Sequence, residues 1–136
     1  MSCKKEDIEK ENREEIEKYI SDHNLKASST SSGLYYVIEK EGTGTRPNAN
    51  SDVKVKYKGY FTNGSVFDET DPANIKPFNL QQVIPGWTEG IQLFKEGGEG
   101  ILLIPSRLGY GPSGSQSGTI PPNSVIIFDI ELLDVL

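Results

Sequence analysis

Residues 83–87, with the sequence Val-Ile-Pro-Gly-Trp, limit the fold of this chain more than any other segment and contain its only tryptophan. Pro85 fixes one of its own backbone dihedral angles and restricts Ile84 to extended geometry. Proline is also favoured as the first residue of a helix, where its missing N–H costs no hydrogen bond. The segment predicts a short helix that Pro85 can open, that runs through residues 88–95 and that carries Trp87 in its first turn. The indole then fills either the core or the floor of a pocket.

Strand patterns dominate the chain on both sides of this segment, and no other helix separates them. Residues 53–58 alternate between apolar and polar side chains, as a half-buried antiparallel strand does, and Asn63-Gly64 is a strong hairpin signal. Further β-forming stretches are 34–38, 66–68, 78–80, 101–104 and 125–133. We predict an α+β fold, in which an antiparallel sheet of about five strands is half-wrapped around one short helix and preceded by a charged N-terminal helix.

The end of the chain combines a long loop with a strongly patterned strand. Residues 107–122 are rich in glycine and proline, and a loop of this length inside a small domain is usually functional. The strand after it is predicted to alternate cleanly, with Asp129 and Glu131 facing solvent. Its inward residues are Ile126, Phe128, Ile130 and Leu132.

The N-terminal region is highly charged and predicts a helix over residues 4–23. Its apolar stripe is thin and is interrupted at Asn12; the stripe consists of Ile8, Ile16, Tyr19 and Ile20. Three interpretations stay open: a spacer helix packed lightly on the domain, a dimerisation helix, or a disordered tether. We therefore expect a monomer, or a weak dimer formed through this helix.

The composition divides the chain into three parts. A tail and charged helix occupy 1–26, a small polar linker occupies 27–33, and a globular domain occupies 34–136. The net charge of −6 and the lack of a basic patch argue against nucleic-acid binding. No apolar run approaches the roughly 20 residues that a membrane span needs.

The single cysteine, Cys3, bears on the location of the protein. It follows a small residue and precedes two lysines, a pattern that looks like the mature start of a bacterial lipoprotein after signal removal. We predict the cell envelope or periplasm of a bacterium. Anchoring by a lipid on Cys3 is one hypothesis, and an arbitrary free cysteine is the other.

The residues needed for nucleophilic, metal or phosphoryl chemistry are missing from the globular region. The one histidine, His23, lies at the end of the charged helix, and no phosphate-binding loop occurs. Aromatic residues are instead dense in loops and at strand ends. They either fill the core or form a concave site for an apolar ligand. These residues are Tyr57, Phe67, Phe78, Trp87, Tyr110 and Phe128.

Six motifs in this order and spacing resemble the FKBP-type peptidyl-prolyl cis–trans isomerases, and the resemblance runs from residue 34 to residue 136. The wording of residues 83–87 and the charged N-terminal helix look like the bacterial group of macrophage infectivity potentiator and FkpA proteins. The motifs are 55–59 (Val-Lys-Tyr-Lys-Gly), 64–68 (Gly-Ser-Val-Phe-Asp), 83–90 (Val-Ile-Pro-Gly-Trp-Thr-Glu-Gly), 109–111 (Gly-Tyr-Gly), 120–123 (Ile-Pro-Pro-Asn) and 128–132 (Phe-Asp-Ile-Glu-Leu).

The resemblance implies a site in which the prolyl ring of a substrate lies over the indole of Trp87. The Tyr110 hydroxyl and the Ile84 N–H would bind the carbonyl groups of the substrate, and Asp68 would lie at the rim. The implied wall residues are Tyr57, Phe67, Val83, Ile84, Ile120 and Phe128, together with Phe78. It implies no metal and no cofactor, and as partners proline-containing unfolded or folding polypeptides and macrolide inhibitors.

The chemistry of such an enzyme fits a chain without reactive side chains, because rotation about an X–Pro bond breaks no covalent bond. We therefore predict a peptidyl-prolyl isomerase (rotamase) that assists folding. The alternative is a peptide-binding chaperone or scaffold with a non-catalytic pocket of the same kind. Two departures from the family concern the pocket. Residues 69–77 offer only Lys76 as a cation for Asp68, and Thr119 stands where an apolar residue often precedes Ile120, which puts macrolide affinity in question.

Overall fold

Seven antiparallel strands form one sheet in the computed structural model, which describes residues 4–136. The elements are α1 (Lys4–Asp22), β1 (Ser28–Ser29), β2 (Tyr35–Lys40), β3 (Asp52–Tyr60), β4 (Val66–Glu69), β5 (Pro77–Asn79), α2 (Pro85–Ile91), β6 (Glu99–Ile104) and β7 (Ile126–Val135). The strand order is β1-β2-β6-β7-β3-β4, and β5 also pairs with β3. The predicted class, an antiparallel α+β fold with one short internal helix and a charged N-terminal helix, is confirmed.

The strand count is higher than the predicted number of about five. The unexpected strand is β1, which falls inside the segment predicted as a linker over 27–33. Ser28 pairs with Tyr36, and Thr30 N–H donates to the carbonyl of Leu34. This two-residue ladder depends on backbone hydrogen bonds alone. Small exposed serines carry no apolar alternation, so the sequence pattern could not have predicted it.

Helix α2 packs very closely on the inner face of the sheet because two of its residues are glycines. A Cβ atom on Gly86 would lie 2.7 Å from a methyl carbon of Ile104, and one on Gly90 would lie 2.6 Å from a methyl carbon of Leu102. The helix ends at Ile91, earlier than the predicted Lys95. Beyond that point the chain forms tighter turns, in which Leu93 N–H donates to Gly90 and Phe94 N–H donates to Ile91.

The outer face of the same sheet carries a second, smaller core that α1 covers. Ile16 of α1 is fully buried there against strands β2, β6 and β7. Its buried partners are Val37, Ile101, Leu103, Val125 and Ile127. The prediction of a clean alternation in the last strand is wrong at Ile127, which is as fully buried as its inward neighbour Ile126. A sheet covered on both faces explains the continuous apolar run over 101–104.

The interpretation of Asn12 as an interruption in the helix stripe is also wrong. Its side chain is 4% exposed and is hydrogen-bonded to Ser106 and Asn123. It belongs to the buried face of α1, one turn before Ile16. Three residues of the helix stripe, Ile16, Tyr19 and Ile20, pack on the chain's own domain, and this packing is more specific than the light contact of the spacer interpretation.

The described residues contain two α-helices, α1 and α2, and neither has the length and apolar character to cross a membrane. Cys3, on which the lipid-anchor hypothesis depends, lies outside the described residues.

Candidate functional site

A concave site opens where α2 begins, on the inner side of the sheet. It is a cavity of about 210 Å³. The lining consists of five aromatic side chains, including Trp87, two aliphatic ones and two polar ones. These residues are Tyr57, Asp68, Phe78, Gln82, Val83, Ile84, Trp87, Tyr110 and Phe128. The fold thus brings together most of the residues that the sequence predicted for one site.

The centre of this site is an indole surrounded by rings that meet it edge-on. The centroid of Trp87 lies 5.1 Å from that of Tyr57, 5.4 Å from that of Phe78 and 5.2 Å from that of Phe128. The planes of these pairs are inclined at 83°, 76° and 81°. Edge-to-face packing of this kind is favourable for aromatic rings and holds each ring in place. Trp87 is buried by this arrangement, as a floor would be.

Two predicted wall residues lie behind the cavity lining. Phe67 of β4 meets Phe128 edge-on with centroids 5.6 Å apart, and its other face is against Phe61. A Cβ atom on Gly59 would lie within 2.8 Å of both Phe67 and Phe128, so this glycine lets the rings approach the strand. Ile120 is buried in the inner core and does not line the cavity. Phe67 thus supports the position of Phe128, a ring that does line the cavity.

A tyrosine and a carboxylate form the polar side of the cavity. The Tyr57 hydroxyl donates to Oδ2 of Asp68 at 3.0 Å, and Oδ1 of Asp68 accepts the N–H of Glu69 at 2.9 Å. Burial, and then this hydrogen bond to a carboxylate, raise the pKa of Tyr57 to about 12. The ion pairs found between described residues involve neither Asp68 nor Lys76. The partner of Asp68 is therefore the neutral hydroxyl of Tyr57, and not the cation that the family resemblance suggested.

Two hydrogen-bond donors at the mouth have no acceptor among residues 4–136. Ile84 is extended, with φ −61° and ψ 150°, and its carbonyl accepts from Trp87 and Thr88 while its N–H donates to no described group. The prediction that Pro85 leaves this N–H outside the helix agrees with that geometry. The Tyr110 side chain is 39% exposed and its hydroxyl also lacks a partner within the described chain. Burial and the charge of Asp68 raise the pKa of Tyr110, so that its hydroxyl is protonated and can donate.

The indole N–H of Trp87 is buried and is a third donor without an acceptor in the part of the chain that the structure describes. An unpaired buried donor is costly and commonly marks a functional position. The site therefore combines an apolar ring floor with three donors, and the residues of all three, Ile84, Tyr110 and Trp87, line the cavity.

Gln82 lines the cavity and was missed by the sequence analysis. It directly precedes residues 83–87 in an exposed turn, where its N–H donates to the carbonyl of Asn79. Its position beside that segment was the available signal, although nothing in its own residue type marks it.

Larger concavities lie elsewhere but lack convergent chemistry. One of about 670 Å³ lies between α1 and the segment around Arg107, and a groove of about 930 Å³ crosses the charged outer face of the sheet. Neither is lined by a cluster of aromatic rings. Within residues 4–136 no three His, Cys, Asp or Glu side chains are grouped so as to hold a metal ion.

Comparison with known proteins agrees with the geometry. Residues 43–133 match the family described as FKBP-type peptidyl-prolyl cis–trans isomerase. FkpA of Aeromonas hydrophila, named as such an isomerase, is 45% identical over 128 residues, which cover 92% of this chain and 47% of that protein. The outer membrane protein MIP of Legionella longbeachae is 45% identical over 106 residues, or 76% of this chain and 45% of that protein.

A solved structure is similar over its whole length. The crystal structure of a peptidyl-prolyl cis–trans isomerase from Pseudomonas syringae pv. tomato superposes with a TM-score of 0.83 at 30% identity, covering 99% of this chain and 98% of that one. The chain spans about half the length of the curated relatives it matches. The family match, the level of identity and the shared fold establish that the chain belongs to the FKBP-type peptidyl-prolyl cis–trans isomerase family, near the bacterial FkpA and MIP proteins.

Proposed function

We propose that the cavity above Trp87 binds the prolyl ring of a peptide and catalyses cis–trans rotation about the preceding X–Pro bond. The observation that carries this proposal is a pair of donors, Ile84 N–H and the Tyr110 hydroxyl, that line an aromatic cavity and have no acceptor among residues 4–136. Proline-containing segments of unfolded or folding polypeptides are the proposed substrates. No nucleophile, metal or cofactor takes part.

The reaction depends on how the site changes the relative free energies of the planar and twisted states of the X–Pro amide bond. The spontaneous barrier of roughly 20 kcal/mol comes from resonance that gives the planar amide its charge separation. An apolar cavity stabilises that charge-separated form less well than water does. The twisted state, which has lost the resonance, is therefore less disfavoured inside it. Donors held in place at the mouth fix the substrate backbone while its carbonyl rotates.

Each residue has a proposed role in this scheme. Trp87 is the floor, and the Tyr57–Asp68 pair forms the rim against which the rotating carbonyl moves. Ile84 N–H and the Tyr110 hydroxyl bind substrate carbonyl groups. The proposed wall consists of Phe78, Val83, Ile84 and Phe128, with Phe67 and Ile120 supporting it from behind.

A proline-isomerisation assay on a short peptide, with a protease that cleaves only the trans form, tests the proposal. We expect wild-type protein to accelerate isomerisation in proportion to its concentration. Tyr110→Phe should lower kcat/KM by about fivefold, the effect of one lost hydrogen bond. Tyr35→Phe is the matched control, because its hydroxyl bonds to Glu17 of α1 on the outer face. It should leave kcat/KM unchanged.

A wild-type rate equal to the spontaneous rate would contradict the enzyme. If such a protein still suppressed aggregation of a refolding polypeptide, the peptide-binding chaperone would replace it. Competition by a macrolide of the rapamycin type is a finer proposal, since the same aromatic floor would take its cyclic imide. An unchanged isomerase rate in saturating macrolide would contradict that part alone.

The cellular setting is also a proposal. We propose the cell envelope of a bacterium, because the relatives are bacterial and one is named as an outer membrane protein. Lipid attachment to Cys3 is proposed from its sequence surroundings, and the mass of the protein isolated from its natural source tests it. We further propose a monomer, because Ile16 of the helix stripe is buried in its own domain. Sedimentation equilibrium that gives twice the chain mass would contradict this.

A further inference from the structure

A single buried amide connects α1, on the outer face of the sheet, to the segment that carries Tyr110. Oδ1 of Asn12 accepts the backbone N–H of Ser106 at 2.7 Å and the hydroxyl of Ser106 at 2.6 Å. Asn12 is 4% exposed and Ser106 is 3% exposed. A buried polar side chain must be paired to avoid a large desolvation cost. Asn12 finds all of its described partners in the loop region between β6 and β7.

The nitrogen of the same side-chain amide bonds to Asn123, near the end of that loop region. Nδ2 of Asn12 donates to the carbonyl of Asn123 at 3.3 Å. Asn123 has a φ of +63°, in the left-handed region, and its N–H donates to the carbonyl of Gly111 at 2.9 Å. One side chain therefore joins residues 106 and 123, and through Asn123 it reaches the residue that follows Tyr110.

The backbone around Tyr110 is irregular and is held by short-range bonds within its own turns, in which Leu108 N–H donates to Pro105 and Gly109 N–H donates to Ser106. It runs through a 3-10 turn at Ser106–Leu108, an irregular Gly109 with φ −111° and ψ −115°, and Gly111 with a φ of +65°. The Tyr110 side chain itself makes no hydrogen bond with a described residue and is more than a third exposed. The direction of the hydroxyl therefore depends on the backbone that carries it.

The neighbouring ion pair is too exposed to serve the same purpose. Arg107 Nε lies 3.4 Å from Oε1 of Glu9, and both side chains are more than 40% exposed. Exposed pairs of this kind contribute little, since water and salt screen them. The buried Asn12 amide is the specific link between α1 and this segment.

We propose that Asn12 is a positioning residue for the isomerase site, which it holds from the opposite face of the sheet. It fixes the segment between Ser106 and Asn123 so that the Tyr110 hydroxyl faces the cavity mouth. Helix α1 is thereby a working part of the site instead of a spacer. This inference rests on the proposed isomerase function.

The test compares Asn12→Ala with Ile16→Ala in the full 136-residue chain. Both residues are buried on one face of α1, but Ile16 packs in the apolar cluster on the sheet and offers no hydrogen bond to the segment of Tyr110. Rates are measured by NMR exchange between the cis and trans forms of a proline tetrapeptide, which needs no protease. Circular dichroism establishes a temperature at which every variant is folded. We expect Asn12→Ala to lower kcat/KM by about threefold and Ile16→Ala to leave it unchanged.

A double-mutant cycle separates positioning from general loss of structure. If Asn12 acts through Tyr110, then Asn12→Ala should have no further effect on kcat/KM in a Tyr110→Phe background. Ser106→Ala, which removes only one donor to Asn12, provides a milder variant should Asn12→Ala fail to fold. It should give a smaller loss with the same dependence on Tyr110.

Some outcomes test the positioning role of Asn12, and others test the isomerase function itself. Equal kcat/KM in wild type and Asn12→Ala would overturn the positioning role, as would a loss of the same size in the Tyr110→Phe background. Where Asn12→Ala is unfolded, an unchanged kcat/KM in Ser106→Ala overturns it instead. A wild-type chain that does not accelerate exchange contradicts the proposed function itself and not this link.

Discussion

Both faces of the sheet carry a buried core, but the two cores are filled in different ways. The inner face is covered by the seven-residue helix α2 and packed with aromatic rings that meet edge-on around Trp87. The outer face is covered by α1 and packed mainly with aliphatic side chains around Ile16. The rings of the inner face leave a cavity of about 210 Å³ beside Trp87.

The two faces also differ in whether their polar groups have hydrogen-bond partners. On the outer face the buried amide of Asn12 has a partner for both its oxygen and its nitrogen. On the inner face the N–H of Ile84, the Tyr110 hydroxyl and the indole N–H of Trp87 have none among the described residues. Completed hydrogen bonding fits a structural interface, and open donors around a cavity fit a binding site.

The largest expected effect on isomerase activity comes from changing Trp87, the floor of the cavity. Trp87→Leu removes the indole while keeping an apolar side chain, and we expect kcat/KM to fall at least about tenfold with a loss of about 2 kcal/mol in the free energy of unfolding. The matched control is Phe94→Leu, because Phe94 is buried in the same core but does not line the cavity. Urea denaturation and the isomerase assay measure the two quantities.

For the control we expect a similar loss of stability with no change in kcat/KM. Equal losses of activity in both variants would mean that the cavity floor has no special role and that the comparison between core and site is wrong.

On the outer face, the expected effect is on stability and not on activity. Ile16→Ala should lower the free energy of unfolding by about 2–4 kcal/mol, because a fully buried side chain leaves a cavity between α1 and the sheet. Activity should be retained at a temperature where the variant is folded. Thermal unfolding followed by circular dichroism, paired with the rate assay, measures both. A stability equal to wild type would show that α1 does not dock on the domain in solution.

The smallest expected effect concerns the Tyr57 hydroxyl. Its pKa is raised from 10.0 to about 12, so the folded state holds a proton that the unfolded state releases first. The corresponding stability is present below pH 10 and is lost as the pH rises from about 10 to about 12. The free energy of unfolding of wild type should therefore fall more steeply over that range than that of Tyr57→Phe. Parallel curves from urea denaturation would contradict the Tyr57–Asp68 hydrogen bond.

Local patterns were sufficient to predict the inner half of the molecule. Alternation in β3, the hairpin at Asn63-Gly64 and the proline before Trp87 each act over a few residues, so the sequence alone indicates them. Most of the predicted lining also meets in one cavity, because the motifs on the paired strands β3, β4 and β7 lie beside those at the start of α2 and in the loop that carries Tyr110. Gln82 was missed, since an exposed glutamine in a turn carries no signal of its own.

The outer face was predicted poorly because its pattern depends on an element distant in sequence. Ile127 looks like an exception to alternation until α1 covers it, and Asn12 looks like a break in a stripe until Ser106 and Asn123 are placed beside it. Two-residue strand β1 has no side-chain pattern at all. Contacts between residues about 90 to 110 positions apart cannot be read from local periodicity.

The most direct test of the central claim is the backbone amide of Ile84, followed by NMR in a titration with a proline tetrapeptide. An N–H that gains a carbonyl acceptor shifts downfield and exchanges more slowly with water. We predict a saturable downfield shift of the Ile84 amide proton, with little change in the side-chain amide of Asn12, which is already paired. A peptide that saturates its binding while the Ile84 resonance stays fixed would contradict the account.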